Sequence, residues 1–135
     1  MSEKEDVLRE AVTGYLKENV TALDGRIYPE AIPQNEKNYP AAAISRLFVD
    51  RKRSKLGLTG ISESRISVSI VAPRKIEAVR AADQVEAVLT GFFAGQMGNV
   101  QVKSIVMTEQ VDFWDDRVEK HQVSSDYLIT HANEV

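Results

Sequence analysis

Cysteine is absent from this 135-residue chain. That excludes disulfides and thiolate metal sites and fits a reducing compartment. Apolar runs are short, and nothing approaches the roughly 18 consecutive apolar residues of a membrane helix. The opening residues, Met1-Ser2-Glu3-Lys4-Glu5-Asp6, are charged and lead into no apolar stretch, so no signal peptide is predicted. The net charge is only −3, which gives no global case for nucleic acid as a partner. Histidine is limited to His121 and His131. Within one strand they would stand about 30 Å apart and could not share a metal, so they read as surface residues. The phosphate-binding patterns G-x-x-x-x-G-K-[ST] and G-x-G-x-x-G and the nucleophile pattern G-x-S-x-G do not occur. Gly91, Gly95 and Gly98 follow a helical pattern and read as its stop and turn, whereas a phosphate cradle would precede a helix. No catalytic residue and no cofactor is expected.

What is present is ordinary globular composition, 43% hydrophobic and 27% charged. The length predicts one domain over residues 1–135, large enough for a core without staples. Ser2 and Glu5 have the S-x-x-E form of a capping box. Val7, Leu8, Ala11, Val12, Tyr15 and Leu16 then share one helical face. Gly14 weakens that helix and is expected to admit a neighbouring backbone closely. The helix should end before the turn dipeptide Asp24-Gly25. Arg26-Ile27-Tyr28 reads as a short extended piece. Pro29, Pro33 and Pro40 make Glu30 to Tyr39 an ordered loop.

Ala41 to Val49 reads as a strand with apolar residues at both parities. Arg65 to Ala72 alternates cleanly, with Ile66, Val68, Ile70 and Ala72 on one face. Pro73 ends it, and Arg74 to Phe92 forms a second helix with an alanine-rich apolar face. Val100 to Glu109 is a third strand, with Val100, Val102 and Val106 on one face and Ile105 and Met107 on the other. A loop, Val111 to Glu119, separates it from a last strand, Lys120 to Thr130. The predicted fold class is α+β: a mostly antiparallel four-stranded sheet with two helices packed on one face, in the order α-β-β-α-β-β.

Several residues stand out as candidate contacts. Asp50 to Ser64 reads as a long arm projecting beyond the sheet, with Arg51, Lys52, Arg53 and Lys55 at its base and Leu56, Leu58 and Ile61 further out. The basic run fits nucleic acid or an acidic partner. With no interleaved aromatics in a net acidic chain, a solvated or partner-facing hairpin is the preferred reading. The arm is expected to become ordered on assembly. Ile105, Met107 and Leu128 interrupt the polar face opposite the helices, and exposed apolar surface of that kind marks an interaction site. Trp114 is either a local core plug or a partner anchor. Glu109, Asp112, Asp115 and Asp116 form an acidic cluster without calcium-loop spacing.

Gly25-Arg26-Ile27-Tyr28-Pro29, then Ala31-Ile32-Pro33-Gln34, then Tyr39-Pro40-Ala41-Ala42-Ala43-Ile44, and after the arm Ser64-Arg65-Ile66-Ser67-Val68-Ser69-Ile70, together resemble the tail completion, or tail terminator, proteins of long-tailed phages and prophages. The likeness spans about Val7 to Ile129. It implies a non-enzymatic virion component assembled in the bacterial cytoplasm. It further implies a homo-oligomeric ring, typically of six subunits, that caps the tail tube and meets the head–tail connector. Its expected partners are thus further copies of itself, the tube protein and the connector, with no membrane. The arm and the Trp114 segment are not diagnostic of that family. A reading of a different class also fits the residues: a stand-alone α+β module, monomeric or dimeric, that binds a small molecule or a regulatory partner.

Overall fold

The computed structural model describes residues 3–54, 57–92 and 94–132, with 3–6, 46–54 and 57–60 described in backbone only. Helix α1 (Glu3–Asn19) buries Leu8, Ala11, Val12 and Leu16, the three-and-four spacing of one helical face. The capping serine expected at position 2 lies outside the described residues. A single 3-10 turn, Thr21–Leu23, follows, and Asp24 and Gly25 reverse the chain at φ 47° and 76°. Helix α2 (Lys75–Thr90) buries Ala78, Ala81, Ala82, Val85 and Leu89. Gln84 ties α2 to the 3-10 turn: its Oε1 accepts the Ala22 N–H at 2.9 Å and its Nε2 donates to Thr21 Oγ1 at 3.1 Å. Tyr15 of α1 meets Phe92 edge to face, with centroids 5.3 Å apart.

The sheet corrects the four-stranded expectation. It is a curled, mixed sheet of six strands in the order β1-β2-β3-β6-β5-β4. The strands are β1 (Ile27–Pro29), β2 (Ala41–Ser54), β3 (Gly57–Ala72), β4 (Gly95–Met97), β5 (Val100–Asp115) and β6 (Lys120–Ala132). β1 pairs parallel with β2, and every other pairing is antiparallel. The two strands beyond the expected four are three residues each: β1 falls on the extended piece read at Arg26 to Tyr28, and β4 is unexpected. Neither is long enough to show a period of two, and β4 is bracketed by glycines at φ 139° and 56° (Gly95 and Gly98) that in the sequence read as turn. At Gly98 the chain passes close over α1: a Cβ there would stand 3.1 Å from the Ala11 Cβ. The close approach expected at Gly14 does not occur, since a Cβ there meets nothing within 4 Å.

One face of the sheet lies under both helices. Ala42, Ile44, Ile66, Val68, Ile70, Val123, Tyr127 and Ile129 join the helix residues in a continuous core. Fully burying a side chain such as Ile66 or Ile129 contributes about 1.5–3 kcal/mol. β6 alternates buried and half-buried without a break from Lys120 to Ala132. β5 does not, because its register slips between Val102 and Ser104 and again between Met107 and Glu109. The extra residue at Lys103 inverts the parity. Val102, Ile105 and Met107 therefore share the helix-covered face, and Val106 turns outward.

The arm is a hairpin, as expected, but its base belongs to the sheet, with Ile61 to Ser64 paired to β6. β2 and β3 stay paired through Arg53 with Leu58 and Ser54 with Gly57, interrupted by irregularities at Arg46/Phe48 and Arg51/Arg53. Lys55 and Leu56 lie outside the described residues. Similarly, the segment from Val111 is no loop: β5 continues to Asp115, and the turn to β6 is confined to residues 116–119. Its last residue, Glu119, takes φ 54°.

Candidate interaction surface

Among the described residues, the large apolar side chains left exposed are Ile76, Val106, Val111, Phe113, Trp114 and Val118. All but Ile76 lie on β5 or in the turn after it. The pairing with β6 sorts them by face. Val106, Val111 and Phe113 oppose Leu128, Ser124 and Gln122 on the outer face, away from the helices. Trp114 opposes His121 on the helix side and is 52% exposed, which decides between plug and exposed residue in favour of the latter. Leu128 is half-buried beside Val106. Ile105 is buried in the core and Met107 is partly buried against it, so neither contributes to this surface.

Arg65 braces the outer face. Its guanidinium donates to Thr108 Oγ1 at 3.1 Å and stands 3.6 Å from Asp126 and 4.0 Å from Glu109. This takes Glu109 out of the acidic cluster. Strand alternation splits the rest, because Asp112 faces the helix side and Asp115 the outer side. Asp112 accepts from His121 Nε2 at 2.8 Å and sits 3.9 Å from Lys75 Nζ. Asp115 accepts from the Arg117 backbone N–H and guanidinium, and these bonds hold its carboxyl below the usual carboxylate range. No group of three potential metal ligands occurs among the described residues.

Both histidines are buried, which corrects their reading as surface residues. The signal was the strict alternation of β6, which puts His121 and His131 in phase with Val123, Tyr127 and Ile129. His131 Nδ1 donates to the Ala132 carbonyl at 3.0 Å, so Nε2 accepts the Ser64 hydroxyl at 2.7 Å. That is the pairing of a nucleophile and its base. Ser64 is fully buried and His131 is 5% exposed, so the bond links β3 to β6 away from any substrate.

The proline-bearing segment, residues 30–40, crosses the outer face near the β5–β6 turn. Arg26 Nε donates to the Pro40 carbonyl at 2.9 Å, and Lys120 Nζ lies 4.8 Å from the centre of the Tyr39 ring. The Tyr28 hydroxyl donates to Glu36, whose other oxygen caps the Lys37 and Asn38 N–H groups. Between this segment and the sheet lies an open cleft of about 580 Å³, with Ile32, Pro33 and Tyr39 on one wall, Ala43, Ser69 and Val71 on the floor and Val118 opposite. Of the contacts expected on the arm, Arg51 pairs in register with Ser62 and Arg53 with Leu58, while Ile61 is half-buried opposite Ala132. The side chains of Arg51, Lys52, Arg53 and Leu58 lie outside the described residues, as do Lys55 and Leu56 entirely.

No family model matches the sequence, and no curated protein matches it. Among solved structures, the chain is similar to one from the virion of a native gene transfer agent particle, with a TM-score of 0.76 and 15% identity over 98% of this chain and 99% of that one. At that identity the likeness establishes the fold. A second chain, 20% identical over 99% of both, has a TM-score of 0.48. A third, from an Akkermansia muciniphila protein lacking its transmembrane region, is 12% identical over 67% of this chain and 46% of that one, with a TM-score of 0.33. Neither of these two carries weight. Among the described residues no helix is long and apolar enough to cross a membrane.

Proposed function

We propose that the protein is a structural, non-enzymatic virion component whose residues 1–135 act as one tail-terminator-like domain. In this reading, copies close into a ring, typically of six, that caps the tail tube and presents a face to the head–tail connector. The observation that carries the reading is the match over 98% of this chain and 99% of a chain of a gene transfer agent virion. The motifs Gly25 to Pro29, Tyr39 to Ile44 and Ser64 to Ile70 support it independently, since they are read from sequence. The two sheet edges are unlike, which suits the heterologous contact that a ring requires.

The test is genetic and visual. Particles made without this chain should carry tails of irregular length or tails unattached to heads, and the chain should be found at the head end of the tail by immunogold electron microscopy. Normal tails in its absence would refute the reading. One observation favours a second reading, a small-molecule module: the cleft beside Tyr39. That reading requires a ligand to protect the chain thermally while leaving particle assembly unaffected by its loss.

A further inference from the structure

We propose that the sheet continues from copy to copy, with the open edge of β5 in one subunit pairing antiparallel with the open edge of β2 in the next. The inference rests on the ring-forming reading and specifies its joint. It starts from an accounting of backbone groups. β4 covers the outer edge of β5 only at Val100 to Val102. From Lys103 to Asp115, among the described residues, no strand lies on that side. β1 likewise covers β2 only from Ala42 to Ile44, which among the described residues leaves Ser45 to Ser54 open. Two long unpaired edges on one small sheet are templates for pairing, and proteins that do not use such edges blunt them with proline, bulges or short strands. Here both open stretches are long and lack proline, although irregularities interrupt each, at Val102/Ser104 and Met107/Glu109 on β5 and at Arg46/Phe48 and Arg51/Arg53 on β2, and the exposed side chains of β5 include Val106, Val111, Phe113 and Trp114.

The geometry selects the partner. β2 and β5 run in opposite directions, being separated by two antiparallel neighbours, β3 and β6. Each is covered at its N-terminal part and open along its C-terminal part. When the sheet continues in the same sense, the β2 of the next copy meets β5 antiparallel. The covered part of each strand then abuts the end of the other's open part. Ser45 falls toward Asp115, and Ser54 toward Ser104. A ladder of about ten residues, roughly 33 Å, fills both notches.

Charge selects β2 over a second β5. Residues 45–54 carry Arg46, Arg51, Lys52 and Arg53 against the single acid Asp50, whereas residues 103–115 carry Glu109, Asp112 and Asp115 against the single cation Lys103. Either edge paired with itself would bring like charges together across the ladder, which is destabilising, and the mixed pair brings opposite ones together.

The absence of cysteine makes the test clean. Val49→Cys, at a position in register with Ser64 on the helix side, is combined in turn with Met107→Cys, Gln110→Cys and Asp112→Cys, the β5 positions on that same side, in the full chain, and each variant is oxidised at high protein concentration. At least one combination should give a covalent ladder ending in a closed species, and the single-cysteine variants should give none. Dimers from a β5 single-cysteine variant, or no ladder from any combination, would overturn the proposal. In the unsubstituted chain, backbone amides of both 45–54 and 103–115 should exchange about tenfold or more slower at concentrations where it is oligomeric. An oligomer in which either segment exchanges as in the monomer, or a chain that never associates, would equally overturn it. Failure of the virion reading looks different, because the ladder would form but the chain would be missing from particles.

Discussion

Tyr127 shows how one atom can oppose an otherwise favourable side chain. Its ring fills the centre of the core between β6 and α2, fully buried. Its buried hydroxyl makes no well-formed hydrogen bond among the described residues, the Ser125 side chain interacting with it only weakly. Burial first, then the charge of Glu86, push its pKa well above the ordinary phenol value against the lowering effect of Ser125. An unsatisfied buried hydroxyl costs about 1–3 kcal/mol. Tyr127→Phe should therefore raise the unfolding free energy by about 1 kcal/mol in urea titration. It should also alter the alkaline limb. Because the folded pKa is raised, the neutral phenol favours folding below the unfolded value, about 10, and that contribution falls as pH rises past it. The phenylalanine variant should lose less stability above pH ~10 than the parent. At the exposed end of the scale, Glu36 is held below the usual carboxylate range, first by the Tyr28 hydroxyl and then by the Asn38 N–H. Its contribution is present above the unfolded pKa and is lost as pH falls through the lowered folded one. Glu36→Gln should flatten the acid limb of a stability-against-pH curve. An unchanged acid limb would mean that the loop bonds do not form in solution.

At the level of elements, what could be read in the sequence is what has a long, uninterrupted period. The two helices declare themselves through Leu8-Ala11-Val12-Leu16 and Ala78-Ala81-Ala82-Val85-Leu89, and β3 and β6 through alternation. β5 misleads because a bulge at Lys103 inverts its parity, and neither Lys103 nor Ser104 carries any local mark of a bulge. The outer half of the β2–β3 ribbon carries Asp50-Arg51-Lys52-Arg53 and the glycines Gly57 and Gly60 with no sustained apolar alternation, so it reads in sequence as an arm beyond the sheet. The surface patch was partly legible. Trp114 and Leu128 were singled out, but the parity error exchanged Val106 for Ile105. Two glycines separate the local from the tertiary contribution. Gly14 is an exposed helix interior position with open space, so Gly14→Ala should stabilise by about 0.5–1 kcal/mol. Gly98 sits at positive φ against Ala11, so Gly98→Ala should destabilise by about 1–2 kcal/mol or more. Thermal or denaturant unfolding of both variants distinguishes the two cases. A Gly98→Ala variant as stable as the parent would show that the β4–β5 turn does not press on α1.

For the whole molecule, the decisive asymmetry is between a core that is complete and an outer face that is not. The helix side buries its apolar residues without help from another chain, except for Trp114 at the end of β5. The outer face keeps Val106, Val111 and Phe113 partly in water, next to an edge with unpaired backbone groups. These residues can therefore be changed without creating a cavity. Val111→Ser with Phe113→Ser should lower monomer stability by about 1.5–3 kcal/mol, because roughly half of each side chain is already out of water in the fold. Assembly should lose a comparable amount in addition. Val111 and Phe113 are 48% and 40% exposed, so association can still remove roughly half of each side chain's surface from water. Full burial of such side chains is worth about 1.5–3 kcal/mol each. Half of that for two residues is about 1.5–3 kcal/mol, or roughly ten- to a hundredfold in affinity per contact. Sedimentation velocity over a concentration series should show the oligomer of the double variant shifted to higher concentration by at least tenfold. Equal association by variant and parent would mean that the outer face is solvated in the assembly and that contact is made elsewhere on the chain.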